Sequence, residues 1–410
     1  FTADRWDLAN ARVVEHLGRQ ALTGVARLRD VTFGNGVIEV DVAMRSGVRS
    51  YPGFHFRTRG DTAAERFYLR PHRSPLYADA VQYAAAFHGM DSWQLYNGLG
   101  YSAAALIPTD RWVHFRVEVS ETQARIFIDS SATPALTVWE LEHGTSAGGI
   151  ALNSGPSEGP PAAFFSNFSW RPDDALPFGP APAPYAPPGF LREWEVSRPT
   201  ALGLVDLDRY PEARALGVLP WTDARATPRG LLDISRLYGR SRTETELVLA
   251  RTTVRADRDE VRKFWLGYSD VAGVFVNGRP VFYGNSAYRS RDLSFLGVLG
   301  LFDAVYLPLR RGDNDVLVAL GEGSGGWGVT MRDAAAILEA PGLRRAWASA
   351  PVLHIPESAV FDTARNVVYV SNFDGYHPSG GAGGQQISKF TADGRLESLE
   401  WIAGLNNPTG

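Results

Sequence analysis

Cysteine is absent from the 410 residues, which excludes disulfides, thiolate catalysis and cysteine-ligated zinc. That absence leaves the compartment open, because domains of ordinary size fold without covalent staples. Lysine is nearly absent as well: Lys263 and Lys389 stand alone among 41 basic residues, and the others are arginine. The formal net charge is −4 and the pI about 6.1, so no overall basic field draws in nucleic acid. The arginine excess reads as a compositional bias, of the kind a GC-rich genome leaves, rather than as a phosphate-binding device. No apolar run approaches the ~18 residues of a membrane-crossing helix. A Walker loop, a dinucleotide fingerprint and a Gly-x-Ser-x-Gly elbow are all missing, and the eight histidines show no metal-ligand spacing.

What the chain has instead is glycine (42) and proline (26), punctuating short apolar stretches that alternate with polar residues. That pattern predicts an all-β protein. The clearest break is "PDDALPFGPAPAPYAPPG", residues 172–189, whose prolines remove donors and lock φ, so it joins neither sheet nor helix. A softer break lies in "APGLRRAWASAPV". The blocks are then 1–171, a spacer over 172–189, 190–345 and 346–410. The chain starts at Phe1 rather than Met, which fits a removed leader, and the expectation is an extracellular or periplasmic protein.

In the first block, Ile38, Val40 and Val42 alternate with Glu39 and Asp41, and Phe54 and Phe56 with His55 and Arg57. Phe67 and Leu69 likewise oppose Tyr68, Arg70 and His72, and Trp93 and Leu95 oppose Gln94 and Tyr96. Each strand therefore has one core face and one polar face that carries aromatic groups. With "RWVHFRVEV", "QARIFID" and "FFSNFSW", these segments resemble the concanavalin A-like lectin/glucanase superfamily in its laminin-G-like form. The resemblance implies a β-sandwich over residues 1–171. Arg57, Tyr68, Arg70, His72, Gln82, Gln94 and Tyr96 are the candidates for a glycan-binding surface, since flat aromatics take the apolar face of a sugar while Arg and Gln bond its hydroxyls. A solvated outer face with cross-strand ion pairs fits the same pattern. Endoglucanases of that superfamily carry Glu-x-Asp-x-x-Glu on one strand. Glu39 and Asp41 match, but Met44 stands where the third acid belongs, so binding is expected rather than cleavage, with no catalytic residue assigned.

The second block contains Asn277-Gly278 between two β-rich runs, a strong hairpin signal. "VFVNGRPV" and "LRRGDNDVLV" resemble the galactose-binding-like jelly-roll found beside catalytic domains. The resemblance implies sugar contacts at loop rims, with Tyr283, Tyr288 and Trp327 as candidates, although buried packing aromatics read the same way. Arg311-Gly312-Asp313 is expected to be a turn, and the sequon at Asn167 to lie in a strand.

The third block, "PESAVFDTARNVVYVSNF" followed by "QQISKFTADGRLESLEWIAGL" and "NNPTG", resembles the first blade of the senescence-marker-protein/gluconolactonase β-propellers. One blade cannot bury its own faces, so the chain is expected to be the front of a longer protein. The resemblance implies a divalent cation such as Ca²⁺ in the complete propeller, with Glu357 at the place of a first-blade ligand. Here Glu-Ser-Ala replaces the usual Glu-Gly-Pro, and no cofactor is assigned to the present segment. Three functions stay open: carbohydrate binding with a glycan or polysaccharide partner, the front of a metal-dependent lactonase-type hydrolase, and a protein-contact scaffold.

Overall fold

Alternating apolar and polar residues become strands almost throughout. The computed structural model describes all residues except 156–159, 183–185, 202–208, 212, 242–245, 337–345, 351, 354–355, 373–384 and 406–410. The chain divides into two compact units, residues 1–337 and 338–410.

Thirteen strands come from residues 1–172: β1 (Trp6–His16), β2 (Arg19–Leu28), β3 (Gly36–Met44), β4 (Gly53–Arg59), β5 (Ala63–Leu69), β6 (Val81–Phe87), β7 (Met90–Asp91), β8 (Ser102–Ala103), β9 (Trp112–Ser120), β10 (Gln123–Ile128), β11 (Leu136–Val138), β12 (Gly149–Asn153) and β13 (Ala163–Pro172). They hydrogen-bond in the order β11-β10-β9-β3-β13-β2-β12-β4-β5-β6-β7, with β1 on β2 and β8 on β6. β13 meets β2 through the pair Phe165–Leu22, and there the sheet turns over on itself. Phe115 of β9 and Phe165 of β13 lie 6.0 and 6.2 Å from Phe54 of β4, so the two halves face each other as a sandwich. Ile38, Val40 and Val42 are buried between the halves, as the period of two requires. Each such side chain contributes about 1.5–3 kcal/mol by leaving water.

A second core in the same unit is built from β14 (Glu193–Ser197), β15 (Thr200–Ala201), β16 (Trp221–Arg225), β17 (Leu232–Asp233), β18 (Glu246–Ala256), β19 (Glu260–Ser269), β20 (Val271–Val276), β21 (Arg279–Asn285), β22 (Asp303–Leu309), β23 (Gly312–Gly321) and β24 (Gly328–Asp333). One sheet runs β16-β14-β18-β23-β20-β21 with β15 on β18, and the other runs β17-β24-β19-β22. Asn277 and Gly278 both have positive φ (48° and 80°) in the two-residue turn between β20 and β21, the backbone that a tight hairpin needs. β18 and β23 are apolar on both faces. Their second face, with Leu249 and Leu317 beside Phe275 of β20, is covered by Tyr210, Leu216, Leu219 and Trp221. Leu216 belongs to the short helix α1 (Ala213–Val218).

Residues 338–410 contain β25 (Pro356–Asp362), β26 (Val367–Asn372), β27 (Gln386–Thr391) and β28 (Leu396–Ala403), paired antiparallel in chain order. The glycine-rich loop after Asn372, the "NNPTG" end and most of the softer break near residue 340 lie outside the described residues. Among the described residues no helix is long and apolar enough to cross a membrane.

Candidate functional site

The face of the sandwich turned away from its core, across β2, β12, β4, β5 and β6, carries two rows of cross-strand neighbours. Arg27, Ala151, His55, Arg66 and Ala84 form one row, and Val25, Asn153, Gly53, Tyr68 and Gln82 the other. Ala151 and Gly53 carry little or no side chain, so the centre of this face is a shallow floor. His55 and Arg66 lie over it. The Arg66 guanidinium is ion-paired with Asp91 and rests 4.4 Å over the Tyr68 ring. Arg27 pairs with Asp61 at the rim.

Three polar atoms on this face have no hydrogen-bond partner and are closed off from bulk water: His55 Nε2, Arg66 Nε and Asp91 Oδ1. Burial, then the charges of Arg66 and Arg27, hold the His55 pKa down to about 3, so its ring is neutral. A neutral imidazole offers one donor and one acceptor. The trio therefore presents a donor, an acceptor and a group able to be either.

Next to the floor, Tyr68, Arg70 and Gln82 form a closed network. The Tyr68 hydroxyl donates to Gln82 Oε1 (2.9 Å) and accepts from Arg70 (2.6 Å). Gln82 Nε2 donates to the Trp93 and Tyr96 carbonyls at 2.6 and 2.8 Å. Asp79 is shared by Arg70 at 3.1 Å and Arg73 at 2.6 Å. The expectation that these side chains line a glycan-binding surface is corrected: Tyr68, Arg70 and Gln82 are all buried. Their face was read correctly, but residues 92–97 fold back over it, a layer that a period of two along one strand does not reveal. Burial raises the Tyr68 hydroxyl above its ordinary range.

Gln94 and Tyr96 belong to that covering segment and reach into the second core. Gln94 Nε2 donates to the Leu296 carbonyl (3.1 Å), and Ser269 Oγ donates to Gln94 Oε1 (2.9 Å). The Tyr96 hydroxyl donates to Asp233, whose pKa burial lifts to about 6. Arg236 lies 3.4 Å from Asp233 and also pairs with Glu142. These residues are a seam between the two cores, not a surface.

Arg57 is displaced furthest from expectation. Its φ of +50° coincides with a register shift between Phe56 and Arg59, a bulge that re-aims the side chain. The buried guanidinium donates to the carbonyls of Gly34 (3.1 Å), Gly144 and Glu121 (2.9 Å) and to Asn35 Oδ1 (3.3 Å). It staples three loops. His72 is half-buried beside the Tyr51 ring (5.3 Å). Burial, then the charges of Arg49, Arg70 and Arg73, lower its pKa to about 4. Trp327 is fully buried in the second core, which corrects its placement on a rim. Tyr283 and Tyr288 are exposed, and the Tyr288 hydroxyl accepts from Arg49 (3.2 Å).

Sequence reasoning missed His55, Arg66, Asp91 and Asn153 as site residues, although His55 was placed on the polar face of its strand. Arg66 was within reach, since it sits two residues before Tyr68 on one strand and so shares its face. Asn153 joins the site only through the pairing of β12 with the distant β2 and β4, and Asp91 through the tight β6–β7 hairpin and its ion pair with Arg66. A concavity of about 450 Å³ elsewhere is lined by Glu193, Glu195, Asp223, Arg225 and Arg251, among others. Its charges pair with each other, Arg251 with Glu195 at 2.8 Å and Arg225 with Glu193 at 3.2 Å, which leaves less for a ligand to satisfy. Met44 is buried in the sandwich, so Glu39 and Asp41 gain no third acid there. They share His114 instead, with Nδ1 2.8 Å from Asp41 and Nε2 3.5 Å from Glu39. Glu357 is exposed on β25, and among the described residues no three His, Asp or Glu side chains converge to hold a metal ion.

No protein-family model and no curated protein matches the sequence. Among solved structures, the chain is similar to the carbohydrate-binding module CBM66 from Bacillus subtilis, at 14% identity over 40% of this chain and 94% of that one, with a TM-score of 0.32. It is similar to a Bacillus subtilis protein of unknown function with a galectin-like fold, at 13% identity over 41% and 89%, with a TM-score of 0.29. A Bacillus licheniformis beta-glucanase is similar at 15% identity over 39% and 80%, with a TM-score of 0.28. Likeness at this level carries no argument about function.

Proposed function

We propose that residues 1–337 bind a carbohydrate on the outer face of β2, β12, β4 and β5, around His55, Arg66, Asp91 and Asn153. The observation that carries this is the trio of unpartnered polar atoms on one face. An unmet buried donor or acceptor costs about 1–3 kcal/mol, and native proteins keep such groups where a water or ligand completes them. Sugar hydroxyls both donate and accept, so they suit a mixed trio, and the Asn153 amide, whose Oδ1 already accepts from the Gly155 N–H, adds a donor. Glycan-array binding by the 410-residue chain, compared with Arg66→Gln, tests this. A folded chain that retains no glycan, or a variant that binds every glycan equally well, would defeat the proposal.

One observation favours a second reading, in which residues 338–410 open a lactonase-type propeller. β25 to β28 stand side by side in chain order, the layout of a four-stranded blade. Glu357 then contributes to a divalent-cation site completed by later blades. Lactone hydrolysis by a chain continued past residue 410, assayed with and without Ca²⁺, is the test, and metal-independent or absent turnover removes it.

A further inference from the structure

We infer that one loop end of the sandwich, built from residues 70–80 and 104–110, docks onto an anionic lipid surface. Leu76, Tyr77 and Leu106 enter the headgroup layer, and the arginines around them meet its negative charge. This surface is separate from the glycan face, and the inference does not depend on it.

Two loops make the tip, one between β5 and β6 and one between β8 and β9. The Ile107 N–H donates to Ser74 Oγ at 2.7 Å, which ties the loops side by side with Leu76 and Leu106 close to the bond. Ile107 is anchored in the sandwich core. Leu76, by contrast, is 86% exposed, Leu106 69% and Tyr77 52%, and Pro75, Ala78 and Ala104 are exposed beside them. Single exposed apolar residues are ordinary, but a group of them on two tied loops is a patch that calls for a partner. Side chains so far out of the protein stand on a protrusion and not in a groove. A protrusion enters lipid without a matching cavity, which a protein or sugar partner would have to supply.

The charge around the tip is one-sided. The neighbouring loop from β3 to β4 brings Arg45 and Arg49 and no acid, and the β5–β6 loop brings Arg70 and Arg73 against Asp79. Asp79 is buried and shared by both of its arginines. Asp110, at the far end of the β8–β9 loop, is exposed and accepts from the Ser46 N–H (3.0 Å), while Arg111 next to it is paired with Asp129. Arg49, Arg70 and Arg73 all lie close enough to His72 for their charges to lower its pKa, which places them together at the base of the tip. Arg73 rests 3.9 Å over the Tyr77 ring, a cation and an aromatic group paired as the boundary between water and lipid favours. Four arginines thus face two carboxylates here, on a chain whose net charge is −4. Anionic headgroups complement that local excess.

The test is flotation of the 410-residue chain with vesicles of phosphatidylcholine alone and with about 30% phosphatidylglycerol added. The expected result is about tenfold stronger binding to the phosphatidylglycerol vesicles at ~50 mM salt, with the gap narrowing as salt rises. Leu76→Asp and Leu106→Asp, at exposed positions that leave the melting temperature in place, each weaken vesicle binding about tenfold. Val261→Asp, at a site on β19 that is 67% exposed, leaves it unchanged. Because the chain has no cysteine, Leu76→Cys carries one environment-sensitive dye, whose emission shifts to the blue on anionic vesicles. Binding to neither vesicle, equal binding to both, or an equal loss with Val261→Asp overturns the inference. So does a dye at position 76 that stays in a water-like environment while the chain is vesicle-bound.

Discussion

Residues 1–337 and residues 338–410 are both antiparallel β structure, but they dispose of their apolar side chains differently. The larger unit closes two cores, and even its polar seam residues, Gln94 and Tyr96, are buried and bonded. The smaller unit buries Val367, Val370 and Phe390, with Trp347 stacked 5.9 Å from Phe390. Its edge strands leave Val360 and Phe361 62% and 49% exposed, and Trp401 and Ile402 are exposed as well. Val360 and Phe361 are consecutive on β25 and so point to opposite faces of the sheet. A sheet with apolar groups on both faces reaches full stability only when something packs on each. A sheet that turns over on itself supplies its own partner.

The comparison is broken or sharpened most strongly by truncating matched aromatics. Phe165→Ala in the sandwich is expected to cost about 3–5 kcal/mol, and Phe390→Ala in the smaller unit less, because looser surroundings collapse into the space left. Chemical denaturation followed by hydrogen exchange at each unit reads both costs, and equal costs would break the contrast. Next in size is Arg57→Leu, expected to destabilise residues 1–337 by about 2–4 kcal/mol because three loop carbonyls lose their donor. Its glycan affinity should stay unchanged, and an affinity loss with intact stability would return Arg57 to the site.

The pH dependence sharpens the picture of the seam. Asp233 has a pKa raised from 3.8 to about 6 in the folded chain, so the folded state holds its proton more tightly than the unfolded state. Its contribution is complete below pH 3.8 and is lost as pH rises through about 6, on the order of 3 kcal/mol in all. Melting temperature against pH should fall across that window, and Asp233→Asn should flatten that part of the fall. A slope unchanged by the substitution would assign it to other buried carboxyls, such as Glu65 and Asp270, which burial also raises. The smallest effect is Tyr68→Phe, expected to cost about 1 kcal/mol through the bonds lost to Gln82 and Arg70.

Much of the strand content was legible along the chain. Ile38, Val40 and Val42 announced a core face, Asn277-Gly278 a hairpin, and the pattern around Phe67 and Tyr68 the two sides of β5. The site was legible only in part. Tyr68, Arg70 and Gln82 were placed on the right face, yet nothing local shows that residues 92–97 cover it. Arg57 shares the alternation of His55 and loses it to a bulge. Trp327 resembles an exposed aromatic until the second core closes around it.

Side-chain alternation is a property of consecutive residues, and so the all-β character and the polarity of each strand face were determined by the amino-acid order alone. Which polar groups meet, and which remain without a partner, depends on pairing between strands far apart in the chain. Arg27 joins the row of His55 and Arg66 only because the distant β12 pairs between β2 and β4, whereas Arg66 and Asp91 follow His55 through the consecutive strands β4 to β7. The energetic weight of each also waits on that pairing, since a guanidinium or imidazole changes its cost when water is removed.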